Sequence, residues 1–197
     1  VVLIRYPHGG TFEIPELTVN NNHREAKAIL GPLVKDAVGI NSNVAERLSG
    51  ADFDGDTVTV IPVNNRVRVK TTSQLKGLEG FDPKIEYAAP RDENGNPTCK
   101  IMSEDAKGRE MGEISNLITD MTLRGAIDSE KARAVRHGMT VIDAPKHELD
   151  YKRSYEENGI AELKEKYQGH YNEDGKYSEG ASTLISKSKA MVYVPKR

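Results

Sequence analysis

Three aspartates alternate across Asp52-Phe53-Asp54-Gly55-Asp56, and the chain passes from them straight into Thr57-Val58-Thr59-Val60-Ile61-Pro62-Val63, an almost wholly β-branched run. No other feature limits the fold as tightly. Such a run favours a pleated, half-buried strand, and Pro62 places its far end at an edge or a bulge. In extended backbone every second side chain shares a face, so the three carboxylates would point to one side. Like charges held that close repel and raise one another's pKa unless a cation neutralises them. A hard divalent ion meets that need, and carboxylates with few other donors suit magnesium, which keeps positions open for water and phosphate; manganese can substitute. Gly55 lets the backbone bend tightly between the second and third carboxylates, while Phe53 is free to face the other way into a core. The motif predicts a magnesium cradle on a loop entering a strand.

Competing readings fit less well. A calcium loop of the EF-hand kind also opens with alternating aspartates, but it needs Gly at its sixth position and Glu at its twelfth, where this chain has Thr57 and Val63. A magnesium-dependent phosphatase of the haloacid dehalogenase type carries Asp-x-Asp-x-Thr/Val, which Asp54-Gly55-Asp56-Thr57-Val58 satisfies in letters. Its aspartates should sit at the carboxyl end of a parallel strand. Here the strand follows the motif, and Ala45-Glu46-Arg47-Leu48-Ser49-Gly50 precedes it. An acidic surface turn suits a lone Asp-Gly-Asp better than three alternating aspartates abutting a strand. Metal-assisted phosphoryl or nucleotidyl transfer is the reading left.

Size allows one medium domain, or a small barrel with helical appendages, in 197 residues. No apolar run approaches the roughly 20 residues needed to cross a bilayer, and no charged-then-apolar leader opens the chain, so neither membrane insertion nor secretion is expected. A single cysteine, Cys99, cannot form an internal disulfide, which suits the reducing cytoplasm expected as its compartment. His8, His23, His137, His147 and His170 do not pair with Cys99 or each other at zinc-ligand spacing. The chain opens Val1-Val2-Leu3-Ile4, without methionine and as if in mid-strand, and is expected to be a segment of a longer protein.

Lys and Arg number 28 against 30 Asp and Glu, a net charge of −2 that says little about partners. The distribution says more. From Thr57 to Lys76 there are basic residues (Arg66, Arg68, Lys70, Lys76) and no acidic one. Val67 and Val69 alternate with Arg66, Arg68 and Lys70, which at a period of two places the cations on one face. Pattern alone favours a solvated strand face.

Val1 to Ile4 predicts a buried strand and Thr11 to Ile14 a second, ended by Pro15. His23 to Ile29 and Ser42 to Leu48 have helical character. Asn94-Gly95 signals a hairpin between Ile85–Ala89 and Thr98–Met102, so the first hundred residues read as mainly β. After Ser103 the period changes. Met111, Ile114, Leu117, Ile118 and Met121 recur at helical spacing and predict a helix from Glu104 to about Arg124. A second should run from a cap at Asp128 or Ser129 to His137, closed by Gly138, and a third from Ser154 to Tyr167. Gln168 to Gly180 lacks an apolar period and is expected to be mobile. The divisions expected are 1–102, 103–150 and a helical or mobile tail over 151–197.

Ala51-Asp52-Phe53-Asp54-Gly55-Asp56 resembles the catalytic signature of two-barrel RNA polymerases, carried by the double-psi β-barrel of the largest subunit of the cellular enzymes. Arg5-Tyr6-Pro7 stands where that family has Arg-x-Pro, and Lys27-Ala28-Ile29-Leu30-Gly31-Pro32-Leu33-Val34 is similar to the stretch leading to the acidic loop. Ser49-Gly50, Gly112-Glu113-Ile114-Ser115-Asn116 and Val141-Ile142-Asp143-Ala144-Pro145-Lys146 look more like the single-chain branch, which holds the RNA-dependent polymerases of gene silencing and related phage and mobile-element enzymes. Specificity is high at the acidic triplet, fair at Arg5-Tyr6-Pro7 and weak elsewhere. Tyr6 replaces the small residue of the cellular subunits, and the Asn41 to Gly50 approach is longer than theirs.

The resemblance implies an α+β chain, a double-psi β-barrel followed by helices flanking a cleft. It implies that Asp52, Asp54 and Asp56 hold magnesium at the growing RNA 3′ hydroxyl and that no protein nucleophile is needed. Arg5 would approach the ribose hydroxyls of the incoming ribonucleoside triphosphate, a task its planar donor fork suits. Arg66, Arg68 and Lys70 gain weight as phosphate contacts to template and product. Arg124, Arg133, Arg136, His137 and Lys146 form a looser basic group that helix-surface solvation explains equally well. In that family a second barrel supplies lysines to the substrate phosphates, and 197 residues leave no room for one. The chain is expected to be half an active site, with the other half in the same parent polypeptide or another subunit. An inactive barrel that binds nucleic acid is the non-enzymatic alternative.

Overall fold

Val2, Leu3 and Ile4 form strand β1 (Val2–Ile4), and all three side chains are buried. A computed structural model describes residues 1–6, 8–48, 51, 55–171 and 174–181 of the chain. These divide into two units, Val1–Gln74 and Leu75–Arg197, and the architecture is α+β.

In the first unit β1 pairs antiparallel with β2 (Thr59–Ile61), matching Val2 to Ile61, Leu3 to Val60 and Ile4 to Thr59. Its other edge is occupied as well. The Leu3 amide donates to the Pro15 carbonyl at 3.1 Å and the Leu17 amide to the Val1 carbonyl at 2.8 Å. Side chains alternate across the strand, so Val2 and Ile4 pack with Ile14, Ile61, Val63 and Val69. Leu3 packs on the other side with Leu48, Ala51, Leu17, Ile40, Val44 and Val58. A strand buried on both faces reads as an unbroken apolar run, as here. Each such side chain contributes roughly 1.5–3 kcal/mol by burial.

The β expectation for the first hundred residues needs correction. Thr11–Glu13 is a turn of 3₁₀ helix, because the Glu13 amide donates to the Gly10 carbonyl and the Glu13 carboxylate accepts the Gly9 amide at 2.5 Å. Those local bonds displace the ladder that alternation alone suggested. Helix α1 (Arg24–Leu30) is capped by His23, whose Nδ1 accepts the Ala26 amide, and Ser42–Arg47 is 3₁₀ helix. Asn64 makes an Asx turn through the Arg66 and Val67 amides. Beyond it the basic stretch joins no ladder among the described residues.

In the second unit the hairpin expected around Asn94-Gly95 is mostly replaced. Asp82 caps helix α2 (Pro83–Glu86), and Ala88 pairs with Leu149 instead of with Thr98–Met102. The turn itself stands, with Asp92 accepting the Asn94 and Asn96 amides at 2.9 and 2.8 Å.

Helix α3 (Glu104–Leu123) starts at Ser103, whose hydroxyl accepts the Ala106 amide, and buries Ile114, Leu117, Ile118 and Met121. It packs along α4 (Asp128–His147). That helix runs through Gly138, which had been expected to stop it. A Cβ at Gly138 would meet Ile114 at 3.7 Å, ordinary contact, so glycine lies at the α3–α4 approach and not at a cap. Gly138→Ala should therefore raise stability by about 0.5–1 kcal/mol, the usual helix-interior difference. A melting curve at 222 nm measures this, and a lower midpoint would mean the two backbones cannot accept a methyl group.

The third expected helix is two, α5 (Tyr151–Glu157) and α6 (Ile160–Gln168), broken at Asn158-Gly159. Gly159 has φ 59°, and a Cβ there would collide with Arg133 Nη2. The segment expected to be mobile holds a hairpin, β3 (Gly169–Tyr171) against β4 (Tyr177–Glu179). Tyr171 and Tyr177 stack edge to face across it at 5.4 Å, a cross-strand pair that supports such a ribbon. Among the described residues no helix is long and apolar enough to cross a membrane.

Candidate metal and substrate site

The strand pair builds the site from both ends. If the β1–β2 register continues, Arg5 comes level with Val58, just beyond Asp56. Arg5 Nε donates to Asp56 Oδ1 at 2.6 Å, with 20% and 14% of the two side chains exposed. An ion pair that short is a charge-assisted bond, and its partial burial weakens screening by salt.

Both flanks of the acidic motif are anchored in the Leu3 core. Leu48 and Ala51 are buried ahead of it, the Ala51 amide donating to the Leu48 carbonyl at 3.0 Å, and Val58 packs into the same cluster beyond it. Gly55 has φ 111°, a conformation that side chains resist and glycine accepts. Asp52, Phe53 and Asp54 lie outside the described residues. Among the described residues no three His, Cys, Asp or Glu side chains come close enough to hold a metal. Asp56 offers carboxylate oxygen, the ligand type a hard cation takes, and its Oδ1 is engaged by Arg5.

Arg66, Arg68 and Lys70 are all exposed, and Val69 between the last two faces the Val2 core. The alternation therefore holds at Arg68-Val69-Lys70, while Val67 is exposed with the cations. Two further groups of this unit escaped the sequence reading. Glu13 is a buried carboxylate. His8 Nδ1 is enclosed with no hydrogen-bond partner among the described residues, and its ring lies 5.3 Å from that of Tyr6. No spacing rule signals either.

The looser basic group on the second unit dissolves into separate roles. Arg133 donates to the Asn158 carbonyl at 2.8 Å and pairs with Glu162. Arg136 lies over the Phe81 ring and pairs with Glu86. His137 is 1% exposed, its Nδ1 3.1 Å from Ser154 Oγ and its ring edge-on to Tyr155. Burial, assisted by the Lys164 cation, pushes His137 down to about 4. Only Arg124 and Lys146 are exposed, as helix-surface solvation would have them.

Compared with protein-family models, curated proteins and solved structures, the chain finds no match.

Proposed function

We propose that this chain is the magnesium-bearing catalytic segment of a template-directed RNA polymerase, built on a double-psi β-barrel and completed by a second barrel from its parent polypeptide or another subunit. The observation that carries the reading is the Arg5–Asp56 pair. These residues stand 51 apart in sequence and meet at 2.6 Å, and the resemblance assigns one to the nucleotide sugar and the other to the metal. Magnesium held by Asp52, Asp54 and Asp56 would supply charge neutralisation and activation of the RNA 3′ hydroxyl. The chain's own residues position it: Leu48 and Ala51 fix one flank of the loop, Val58 the other, and β1 delivers Arg5. Arg66, Arg68 and Lys70 offer exposed cations to the phosphates of template and product.

A dehalogenase-type phosphatase would need the aspartates after a parallel strand. Here the strand beyond them, β2, is antiparallel to β1.

The test is RNA synthesis by the native polypeptide that carries this chain, given magnesium, four ribonucleoside triphosphates, and DNA or RNA template in parallel. Magnesium-dependent product supports the reading and identifies the template. No product from a complete, folded parent would overturn it. Arg5→Ala should reduce the preference for ribo- over deoxyribonucleotides roughly tenfold, the scale of one lost hydrogen bond to a charged donor. Unchanged selectivity in competition assays would remove Arg5 from the sugar.

A further inference from the structure

We propose that the outer edge of β2 takes an extended acidic segment of a partner polypeptide as an added strand. This surface is independent of the metal-centre reading, since it consists of β2 and the cations that follow it. β1 and β2 make a sheet of two strands. β1 is bonded along both edges, but among the described residues no backbone group bonds to the far edge of β2. The register identifies what that edge presents. Leu3, opposite Val60, turns its amide to the Pro15 carbonyl at 3.1 Å and so away from β2. The β1–β2 bonds therefore run through the flanking pairs, Val2 with Ile61 and Ile4 with Thr59, and Val60 directs its own N–H and C=O outward. Thr59 and Val60 are both exposed, Val60 at 42%. Open amide and carbonyl groups on a strand edge are what an extended chain recognises, by strand addition.

Charge selects the occupant. From Thr57 to Gln74 the chain has Arg66, Arg68 and Lys70 and no acidic residue. All three cations are exposed and make no ion pair among the described residues. They follow β2 after a single turn at Asn64. An incoming strand with carboxylates beyond its paired centre supplies the complementary charge, which favours encounter and excludes basic partners. A second copy of the chain fits worse. Pairing two β2 strands brings two Pro62 residues, each without an N–H to give, into one short ladder. A nucleic acid can neutralise the same cations, but it has no amide edge to pair with Val60.

The test is fluorescence polarisation of a labelled, end-blocked peptide, with a Val-Thr-Val-Thr-Val centre and two glutamates at each end, titrated with the polypeptide that carries this chain. Saturable binding is expected, weakened about tenfold when the glutamates are replaced by lysines, as the loss of several exposed ion pairs would have it. Val60→Pro removes the outward N–H while leaving the Thr59 and Ile61 bonds to β1 in place, and should weaken binding by about tenfold as well. Hydrogen exchange over residues 58–63 of the native polypeptide, read by mass spectrometry, should slow when the peptide binds, and decides the matter if the proline variant does not fold. Absence of binding, equal binding of the lysine peptide, undiminished binding by a folded Val60→Pro, or binding with no change in exchange over 58–63 would each overturn the proposal. So would a dimer that Val60→Pro dissociates, which would make the occupant a second copy, or oligouridylate bound where the peptide is not, which would give the cations to nucleic acid alone.

Discussion

Asp54→Ala is expected to lower RNA synthesis by the parent polypeptide at least about a thousandfold while leaving its circular dichroism unchanged. A metal ion at the reacting oxygens is worth several kcal/mol of transition-state charge stabilisation, and each 1.36 kcal/mol is a factor of about ten in rate. Asp54 is the middle carboxylate of the triplet, and a two-carboxylate remnant would hold the ion loosely and misplace it. The fold should survive, because the loop is pinned by Leu48, Ala51 and Val58 on its flanks. Product formed by the variant at the native rate would remove Asp54 from the metal.

Acid should unfold the helical unit, and His137 sets the range. Its side chain is 1% exposed, and burial first, then the Lys164 cation, lowers its pKa from 6.5 to about 4. A histidine depressed in the folded state contributes stability that is complete above the unfolded value of about 6.5 and is lost as pH falls from there through about 4. The whole window is worth about 3 kcal/mol at 1.36 kcal/mol per pKa unit. Urea unfolding followed at 222 nm, compared between pH 7.5 and pH 4.5, measures most of it. His137→Asn, which keeps a polar atom near Ser154 Oγ and cannot take a proton, should flatten the dependence. An equally steep profile in that variant would place the acid sensitivity elsewhere.

Where apolar period and a cap agree, the helices were legible. Ser103 and the Met111 to Met121 stripe located α3 almost to the residue. Gly138 misled because glycine is both a common helix stop and a device for close helix approach, and only the position of Ile114 distinguishes the two. The break at Asn158-Gly159 was missed since apolar spacing runs across it. In the first unit Thr11 to Ile14 alternates like a strand, yet a bond from the Gly9 amide to Glu13 curls it into a turn. Tyr87 to Ala89 found its partner beyond α4, at Glu148 to Asp150, a separation no local pattern records. Of the site, residue types and spacing revealed the acidic triplet and Arg5 through chemistry and resemblance. The contact between Arg5 and Asp56 required the β1–β2 register, and His137 looked like a surface base because its neighbours on the helix are charged.

The separation of 51 positions between Arg5 and Asp56 also sets an order of events. Closing so long a loop costs chain entropy before its contacts can offset it, and non-local strand pairing is slow for that reason. The helical unit meets no such delay, as α3 folds back on α4 across one short turn. On the ribosome β1 emerges well ahead of β2. During that interval the apolar Val2, Leu3 and Ile4 lack the β2 partner that lines one edge of β1 in the folded chain. It is then that the chain is most exposed to pairing with a copy of itself.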